Sequence, residues 1–222
     1  MIFEDRIDAG RRLAKALKEY ANKADTLVLA LPRGGVVVGY EVSAALNLPL
    51  DIVCPRKIGA PSNPELAIGA VTETGEGILS DDLVTALGVS ESYIQDTIQQ
   101  EKEEALRRLA HYRQGRPPRQ LKGVTTILVD DGIATGSTML AAIKTCKTEG
   151  AHPLILAVPV APPDTFKRLQ KEVDLAICLS TPTGFYAVGQ FYNVFEQTSD
   201  DEVIALLLPY GPLAKQQTAR LV

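Results

Sequence analysis

The chain has 222 residues, of which 45% are hydrophobic and 23% are charged, with a formal net charge of −4. This length suits one α/β domain, with or without a small addition, and is enough to bury a substantial core. The acidic balance argues against broad nucleic-acid binding, and no apolar run approaches the roughly 18 residues that a membrane-spanning helix needs, so we expect neither partner.

Helix and strand patterns alternate in the first part of the chain. Apolar residues recur on one helical face between residues 6 and 22, and TLVLAL (26–31) follows as a buried strand. After PRGG, the segment 36–47 predicts a second helix, and LDIVCPRK (50–57) predicts another strand. The next segment, IGAPSNPE (58–65), is rich in turn-forming residues, which is typical of either a mobile lid or a static surface loop.

The second part of the chain continues this alternation. LAIGAV and GILS predict two short strands of a hairpin around the turn TETGEG, and Ser90 opens a long helix over 93–112. Strands are then predicted at 124–130, 153–160 and 173–180. A helix over 137–149 separates the first two strands, and a helix after Pro163 separates the last two. Such alternation predicts an α/β fold in which helices flank a mostly parallel core sheet.

The N-terminus and the cysteines bear on the cellular compartment. The N-terminal residues are charged from residue 4 onward and lack the apolar stretch of a signal peptide, which favours a cytoplasmic protein. Cys54, Cys146 and Cys178 are odd in number, scattered and set in apolar surroundings. We therefore expect reduced core thiols rather than disulfides or a zinc site.

The stretch ILVDDGIATGSTM (127–139) carries the strongest functional signal. Its strand would present Asp130 and Asp131 at the sheet rim, where open parallel sheets bind ligands. The small-residue loop that follows opens a helix, so backbone amides and the hydroxyls of Thr135, Ser137 and Thr138 can converge on an anion. Acids at one end and a phosphate site at the other suit a ribose 5-phosphate. The alternative is a plain strand-to-helix turn with Asp and Thr as caps.

This stretch resembles the thirteen-residue PRPP-binding signature of type I phosphoribosyltransferases. The resemblance implies a type I phosphoribosyltransferase fold with a five-stranded parallel core, a flexible loop and a small hood that holds the acceptor. In this single domain the core would span about 24–180, and the hood about 181–198 with the terminal segments. The resemblance implies Mg²⁺ as cofactor, held mainly through PRPP near the two acids. It also implies a PRPP site formed by Asp130, Asp131, Gly132, Ala134, Thr135, Gly136, Ser137 and Thr138, in which the acids bind the ribose 2′ and 3′ hydroxyls and residues 135–138 hold the 5-phosphate.

Two further segments extend the resemblance. In LPRGG, Arg33, Gly34 and Gly35 match the pyrophosphate loop; the glycines can turn amides towards a ligand, and the arginine offers a planar fork for phosphate oxygens. In PRKIG, Arg56 and Lys57 match a basic pair ahead of the flexible loop, and we expect them at the carboxyl end of a third parallel strand. The alternatives are a plain turn for the first segment and ordinary surface charges for the second.

The predicted reaction is transfer of the phosphoribosyl group from PRPP to a nitrogenous base or related nucleophile, with release of pyrophosphate. Arg33 and Lys57 would meet the negative charge that gathers on pyrophosphate, and Asp131 could orient or deprotonate the acceptor. The resemblance implies a glycosyltransferase of nucleotide metabolism, commonly a homodimer. The alternatives are a PRPP-sensing regulator, which the absence of a basic module argues against, and an inactive PRPP-binding domain.

The acceptor is predicted from TPTGFYAVGQFYNVF (181–195), which resembles the hood segment of purine phosphoribosyltransferases. Phe185, Tyr186 and Val188 would form an apolar shelf for a planar base, or else a small hydrophobic core under a loop. Ala134 stands where hypoxanthine and guanine enzymes usually have a third acid, and no Lys or Arg occurs from 172 to 214. Both departures argue against 6-oxopurines as acceptors.

Overall fold

The computed structural model describes residues 1–71, 77–117 and 119–210, with the backbone alone at positions 64 and 65. The strands in this part of the chain are β1 (Thr26–Ala30), β2 (Leu50–Ile52), β3 (Arg56–Ala60), β4 (Asn63–Val71), β5 (Gly77–Leu79), β6 (Thr125–Val129), β7 (Leu154–Val160) and β8 (Leu175–Ser180). The helices are α1 (Arg6–Ala16), α2 (Gly34–Leu46), α3 (Asp81–Leu87), α4 (Glu91–Arg113), α5 (Ser137–Thr148), α6 (Pro163–Gln170) and α7 (Asp200–Leu207). None of these helices is long and apolar enough to cross a membrane.

Five strands form a parallel sheet in the order β2-β1-β6-β7-β8, which confirms the predicted α/β class. Strands β6 and β7 are buried at every residue, and apart from the two threonines that begin β6 they are apolar throughout, as expected when helices cover both faces. The strand order reverses between β1 and β6, because β2 lies on one side of β1 and the later strands lie on the other. The loops after β1 and β6 therefore flank the switch point where such sheets bind ligands.

Helices cover both faces of this sheet. Leu13 of α1, Val38 of α2 and Val203 of α7 belong to the apolar cluster on one face. Met139 of α5 and Leu169 of α6 belong to the cluster on the other face. Cys54 and Cys146 are buried in these clusters and Cys178 packs against one of them, as predicted for cysteines of the core.

A second sheet, antiparallel and in the order β3-β4-β5, corrects two predictions. The predicted strand 50–57 is divided, because β2 ends at Ile52 and β3 begins at Arg56 in the second sheet. The segment 58–65 is not a loop: Ala60 pairs with Asn63 across a tight turn, and Ile58 and Ala60 are buried in a small apolar cluster. The predicted hairpin of LAIGAV and GILS is confirmed by antiparallel β4 and β5, although residues 72–76 of its turn lie outside the described residues.

The start of the chain packs on the segment that follows β8. Phe3 N–H donates to the Phe191 carbonyl (2.8 Å), and Asn193 N–H donates to the Phe3 carbonyl (2.9 Å). Phe3, Phe191 and Tyr192 form the centre of a separate apolar cluster. We refer to residues 1–4 and 181–198 together as the hood. Helices α3 and α7 were not predicted from the sequence.

Candidate functional site

The glycines after β1 pack directly on the aspartates after β6. A Cβ atom at Gly35 would lie 2.7 Å from Asp130 Oδ1, and one at Gly34 would collide with the Asp131 carboxylate. A side chain at either position would force the two segments apart, so this close approach requires glycine at both positions. The structure thus brings together two motifs that the sequence assigned to one ligand.

Asp130 is a part-buried carboxylate on the wall of a cleft. Its Oδ1 accepts a hydrogen bond from the Asp131 N–H (2.8 Å), and the residue lines a cleft of about 660 Å³ together with Thr138. Burial raises the pKa of Asp130 well above its usual range, and the neighbouring charge of Asp131 raises it further. Two adjacent, part-buried carboxylates lower their free energy when a cation or a hydrogen-bond donor binds, so this rim suits a hydroxylated or metal-bearing ligand.

Asp131 has a partner that was not predicted from the sequence. Arg6, at the start of α1, places Nε 2.7 Å from Asp131 Oδ2, and the side chains are only 13% and 15% exposed. Burial raises the pKa of the Asp131 carboxyl, while Arg6 acts in the opposite direction. Nothing in the sequence around Arg6 marks it as a site residue, because α1 reads as an ordinary amphipathic helix with several basic residues.

The loop that precedes α5 is held by side chains of α6, and the start of α5 carries no cap from the described side chains. Gly136 adopts a left-handed conformation (φ 82°), and no described side chain caps the helix that begins at Ser137. From α6, Arg168 Nη2 donates to the Thr135 carbonyl and Thr165 Oγ1 donates to the Ala134 carbonyl (3.1 Å). These contacts fix the loop, and the first amides of a helix without a side-chain cap can receive an anion.

Arg33 lies at the rim and is paired with an acid outside the signature. Its neighbours Leu31 and Pro32 line the cleft, and the Pro32–Arg33 peptide is cis. The Arg33 guanidinium lies 3.6 Å from a carboxylate oxygen of Asp200, at the start of α7. The same Asp200 oxygen accepts a hydrogen bond from the Tyr112 hydroxyl (2.6 Å), which lowers the pKa of the Asp200 carboxyl.

Arg56 and Lys57 line the cleft, although they do not end a parallel strand as predicted. They begin β3 of the second sheet and line the same cleft as Asp130. Arg56 Nε lies 2.6 Å from Glu101 Oε2 of α4. The α4 residues on the cleft wall were missed because a charged helix reads as a solvated surface: Tyr93, Thr97, Gln100, Glu101 and Arg108.

In the hood, the predicted shelf residues occupy different environments. Phe185 is half-buried against Phe191 (ring centroids 5.1 Å apart), whereas Tyr186 is 93% exposed. Residues 130–136, between β6 and α5, are here called the signature loop. Val188 packs on this loop, since a Cβ at Gly132 would lie 2.5 Å from the Val188 Cγ1 atom. The hood is therefore both a small hydrophobic core and a surface beside the signature.

The hood amides that could read a base are already engaged. Gln190 Oε1 accepts from the Tyr186 N–H (2.8 Å), and its Nε2 donates to the Gly184 carbonyl (2.7 Å). Asn193 Nδ2 donates to Glu4 Oε2 (2.7 Å). These contacts fold the hood turn and tie it to the N-terminal segment, so neither amide is presented to a ligand in this state.

Comparisons with known proteins agree with this geometry. Residues 2–191 match the family model described as Phosphoribosyl transferase domain. Proteins from two strains of Mycobacterium tuberculosis, named provisionally as phosphoribosyl transferases, are each 45% identical to the chain over 206 residues, which is 93% of this chain and 46% of theirs. The chain thus spans about half the length of these relatives.

A solved structure agrees over the whole fold. The crystal structure of TT1426 from Thermus thermophilus is 41% identical in sequence, covers 95% of this chain and 100% of its own, and superposes with a TM-score of 0.82. The family match extends from the N-terminal segment of the hood to Phe191 and includes the two rim motifs, the glycine pair Gly34–Gly35 and the aspartate pair Asp130–Asp131. The chain therefore belongs to the phosphoribosyl transferase domain family and has the type I phosphoribosyltransferase fold.

Proposed function

We propose that the chain transfers the 5-phosphoribosyl group of PRPP to a nitrogenous base or related nucleophile and releases pyrophosphate. The observation that carries this proposal is the packing of Gly34 and Gly35 on Asp131 and Asp130 at the switch point of the sheet. This contact joins a candidate pyrophosphate loop to a candidate ribose site, and α5 begins next to them. Three parts of one ligand thus find complementary groups along one rim.

Each part of PRPP has assigned partners in this proposal. The ribose 2′ and 3′ hydroxyls donate to Asp130 and Asp131. The 5-phosphate binds in the loop before α5, where the amides and hydroxyls of residues 135–138 converge on it. Pyrophosphate lies in the cleft that Asp130 shares with Arg56 and Lys57, next to the amides of the glycine pair. The cleft, at about 660 Å³, has room for these phosphates.

The bond changes involve C1 of the ribose. The bond from C1 to the pyrophosphate oxygen breaks, a bond from the acceptor nitrogen to C1 forms, and the acceptor loses a proton. Lys57, Arg33 and Arg56 would meet the charge that develops on pyrophosphate, which is electrostatic stabilisation by groups already in place. In doing so, Arg33 and Arg56 would have phosphate oxygens competing with Asp200 and Glu101 for their guanidinium groups. Asp131 has Oδ2 engaged by Arg6, so its proposed role is ribose binding rather than proton abstraction.

Magnesium fits the donor set at this rim. Mg²⁺ is typically bound through one or two carboxylates together with substrate phosphates, and Asp130 offers a buried carboxylate beside the proposed phosphate site. Bound with PRPP, the ion would neutralise charge on the pyrophosphate that leaves. No group of three or more metal-ligating side chains occurs in the described part of the chain.

The acceptor would bind between the signature loop and the hood. Val188 and Phe185 provide an apolar surface there, and the exposed ring of Tyr186 could stack on a planar base after a change of rotamer. Ala134 supplies no acid, and the hood amides have internal partners. We propose an acceptor other than hypoxanthine or guanine, recognised mainly by stacking and backbone groups.

Pyrophosphate release tests the proposal. The purified chain is mixed with PRPP and Mg²⁺, and pyrophosphate is measured with each member of a panel of purines, pyrimidines and simple amines. We expect release that depends on one acceptor class. PRPP binding without release for any acceptor would support the alternative of a PRPP-binding or regulatory domain. The chain covers only 46% of the M. tuberculosis relatives, so these relatives do not establish the activity of the whole protein. That activity is therefore proposed together with the activity of the chain.

A further inference from the structure

Arg6 contacts the signature loop and the hood at the same time. Its Nε donates to Asp131 Oδ2 (2.7 Å), and its Nη1 donates to the Glu196 carbonyl (2.7 Å). Its guanidinium carbon lies 3.9 Å from the centre of the Phe195 ring. An acid, a backbone carbonyl and an aromatic face therefore fix the plane of a single guanidinium.

We infer that Arg6 is a positioning residue of the ribose site, which holds the Asp131 carboxylate in its ligand-binding orientation and ties it to the hood. The inference rests on the proposed function, since it assumes that Asp131 receives a ribose hydroxyl. Arg6 engages one oxygen of this carboxylate, Oδ2, and so fixes the carboxylate on one side. Arg6 would act on the substrate only through Asp131.

The charges at the rim explain why a positioning residue is needed. Asp131 is next to Asp130, both are largely shielded from water, and two such carboxylates repel each other. Without a partner, Asp131 would turn towards solvent or take up a proton, and it would then be a poorer acceptor for a ribose hydroxyl. A planar guanidinium holds a carboxylate in one orientation better than an ammonium group does, because it has several donors in fixed directions.

Other contacts link the same aspartate to the hood. The Tyr192 hydroxyl donates to the Asp131 carbonyl, and Tyr192 packs on both Phe3 and Phe195. Arg6 lies just after the N-terminal segment that pairs with the hood. The side chain and the backbone of Asp131 are thus both anchored to the element proposed to hold the acceptor, so ribose binding and hood position are coupled.

A double-mutant cycle on the full chain tests the inference. Affinity for PRPP with Mg²⁺ is measured by calorimetry for the unsubstituted chain, Arg6→Gln, Asp131→Asn and the double variant. A lost charge-assisted hydrogen bond corresponds to roughly tenfold to hundredfold weaker binding, which we expect for Arg6→Gln. In the Asp131→Asn background, Arg6→Gln should change affinity by no more than about twofold, because the carboxylate that it orients is gone.

Two further variants separate positioning from general stability. Arg6→Lys keeps the charge and should recover part of the affinity lost in Arg6→Gln. Arg12→Gln is the matched control, since Arg12 is also on α1, pairs with Asp8 (2.7 Å) and lies over the ring of Phe3. It should bind PRPP as the unsubstituted chain does. Thermal unfolding establishes that each variant is folded, and Arg6→Lys replaces Arg6→Gln in the cycle if the latter is not.

The outcomes distinguish this inference from the proposed function. Unchanged affinity in the Arg6 variants, or an equal loss in the presence and absence of the Asp131 carboxylate, would overturn the positioning role alone. No recovery in a folded Arg6→Lys would also count against it. If the unsubstituted chain itself does not bind PRPP, the proposed function fails and this inference fails with it.

Discussion

Arg56 and Glu101 form an ion pair on the cleft wall, with Nε 2.6 Å from Oε2 and both side chains about one quarter exposed. The pair joins β3 of the second sheet to α4. A phosphate group in the cleft would compete with Glu101 for the same guanidinium. Arg33 lies similarly close to Asp200, so the proposed phosphate ligand would compete with an acid at both arginines.

Removing the competing acid should favour the ligand. Glu101→Gln is expected to tighten PRPP binding by up to about fivefold, since partly exposed ion pairs contribute roughly 0.2–1 kcal/mol. Calorimetric titration with Mg²⁺ and PRPP measures the change. Glu103→Gln is the control, because Glu103 is on the same helix and accepts an exposed hydrogen bond from Gln99. Weaker binding in Glu101→Gln would show that the pair holds Arg56 in its binding position.

The contact between the rim loops should be sensitive to a single methyl group. Gly35→Ala places a Cβ 2.7 Å from Asp130 Oδ1, so the carboxylate must move. We expect PRPP affinity to fall by about tenfold or more, in line with the roughly 1–3 kcal/mol that overpacking costs. Gly184→Ala in the hood has no atom within 4 Å of the added Cβ and should bind normally. Equal affinities in the two variants would contradict the proposed contact.

Asp130 should reduce the stability of the unliganded chain in a pH-dependent way. Its folded-state pKa is raised, so the stability penalty is absent below the usual pKa near 3.8, grows as the pH rises from there through the folded-state pKa, and is constant above it. Asp130→Asn should therefore raise the melting temperature at a pH of about 8 and have little effect near pH 4. Asp96→Asn, at an exposed position of α4, should change it at neither pH. A lower melting temperature for Asp130→Asn at about pH 8 would contradict this account of the buried pair.

Acceptor selectivity follows from the groups that the hood lacks. A site built to hydrogen-bond the exocyclic oxygen of a base discriminates by roughly 10⁴ against analogues that lack this oxygen. Residues 172–214 contain no Lys or Arg that could donate such a hydrogen bond. Hypoxanthine and guanine should be poor acceptors compared with another planar base or a non-purine nucleophile. Nucleotide formed from PRPP, Mg²⁺ and each base is the measurement. Efficient synthesis of inosine or guanosine monophosphate would mean that backbone groups alone read these bases.

Local sequence was sufficient to predict both rim motifs. Asp130 and Asp131 follow one mostly apolar strand, and Gly34 and Gly35 follow another, so each motif could be placed after a strand without knowing the other. The parallel sheet and most helix bounds followed from periodicity in the same way. Such features depend on residues close together in the sequence.

The rest of the site depends on contacts between distant segments. Arg6 meets Asp131 only because α1 and the hood fold back over the signature loop, and no pattern near Arg6 indicates this. The segment 58–65 looked like a loop because turn-forming residues dominate it, yet pairing with β4 makes most of it a hairpin. The α4 wall was missed because its charges are typical of a solvated helix; tertiary structure alone places them on a cleft.

Titration of the doubly substituted chain with PRPP is the most direct test of the central claim. Asp130→Asn combined with Asp131→Asn removes both proposed ribose acceptors and leaves the glycine pair and the α5 loop in place. The amide oxygen of asparagine at position 131 can still accept the hydrogen bond from Arg6 Nε, and the substitutions relieve repulsion between two neighbouring carboxylates. The fold should therefore persist, and circular dichroism checks this. We predict that the unsubstituted chain binds PRPP with Mg²⁺ and that the variant binds at least about a hundredfold more weakly. Equal affinity of the two folded proteins for PRPP would contradict the assignment of this rim as the ribose site.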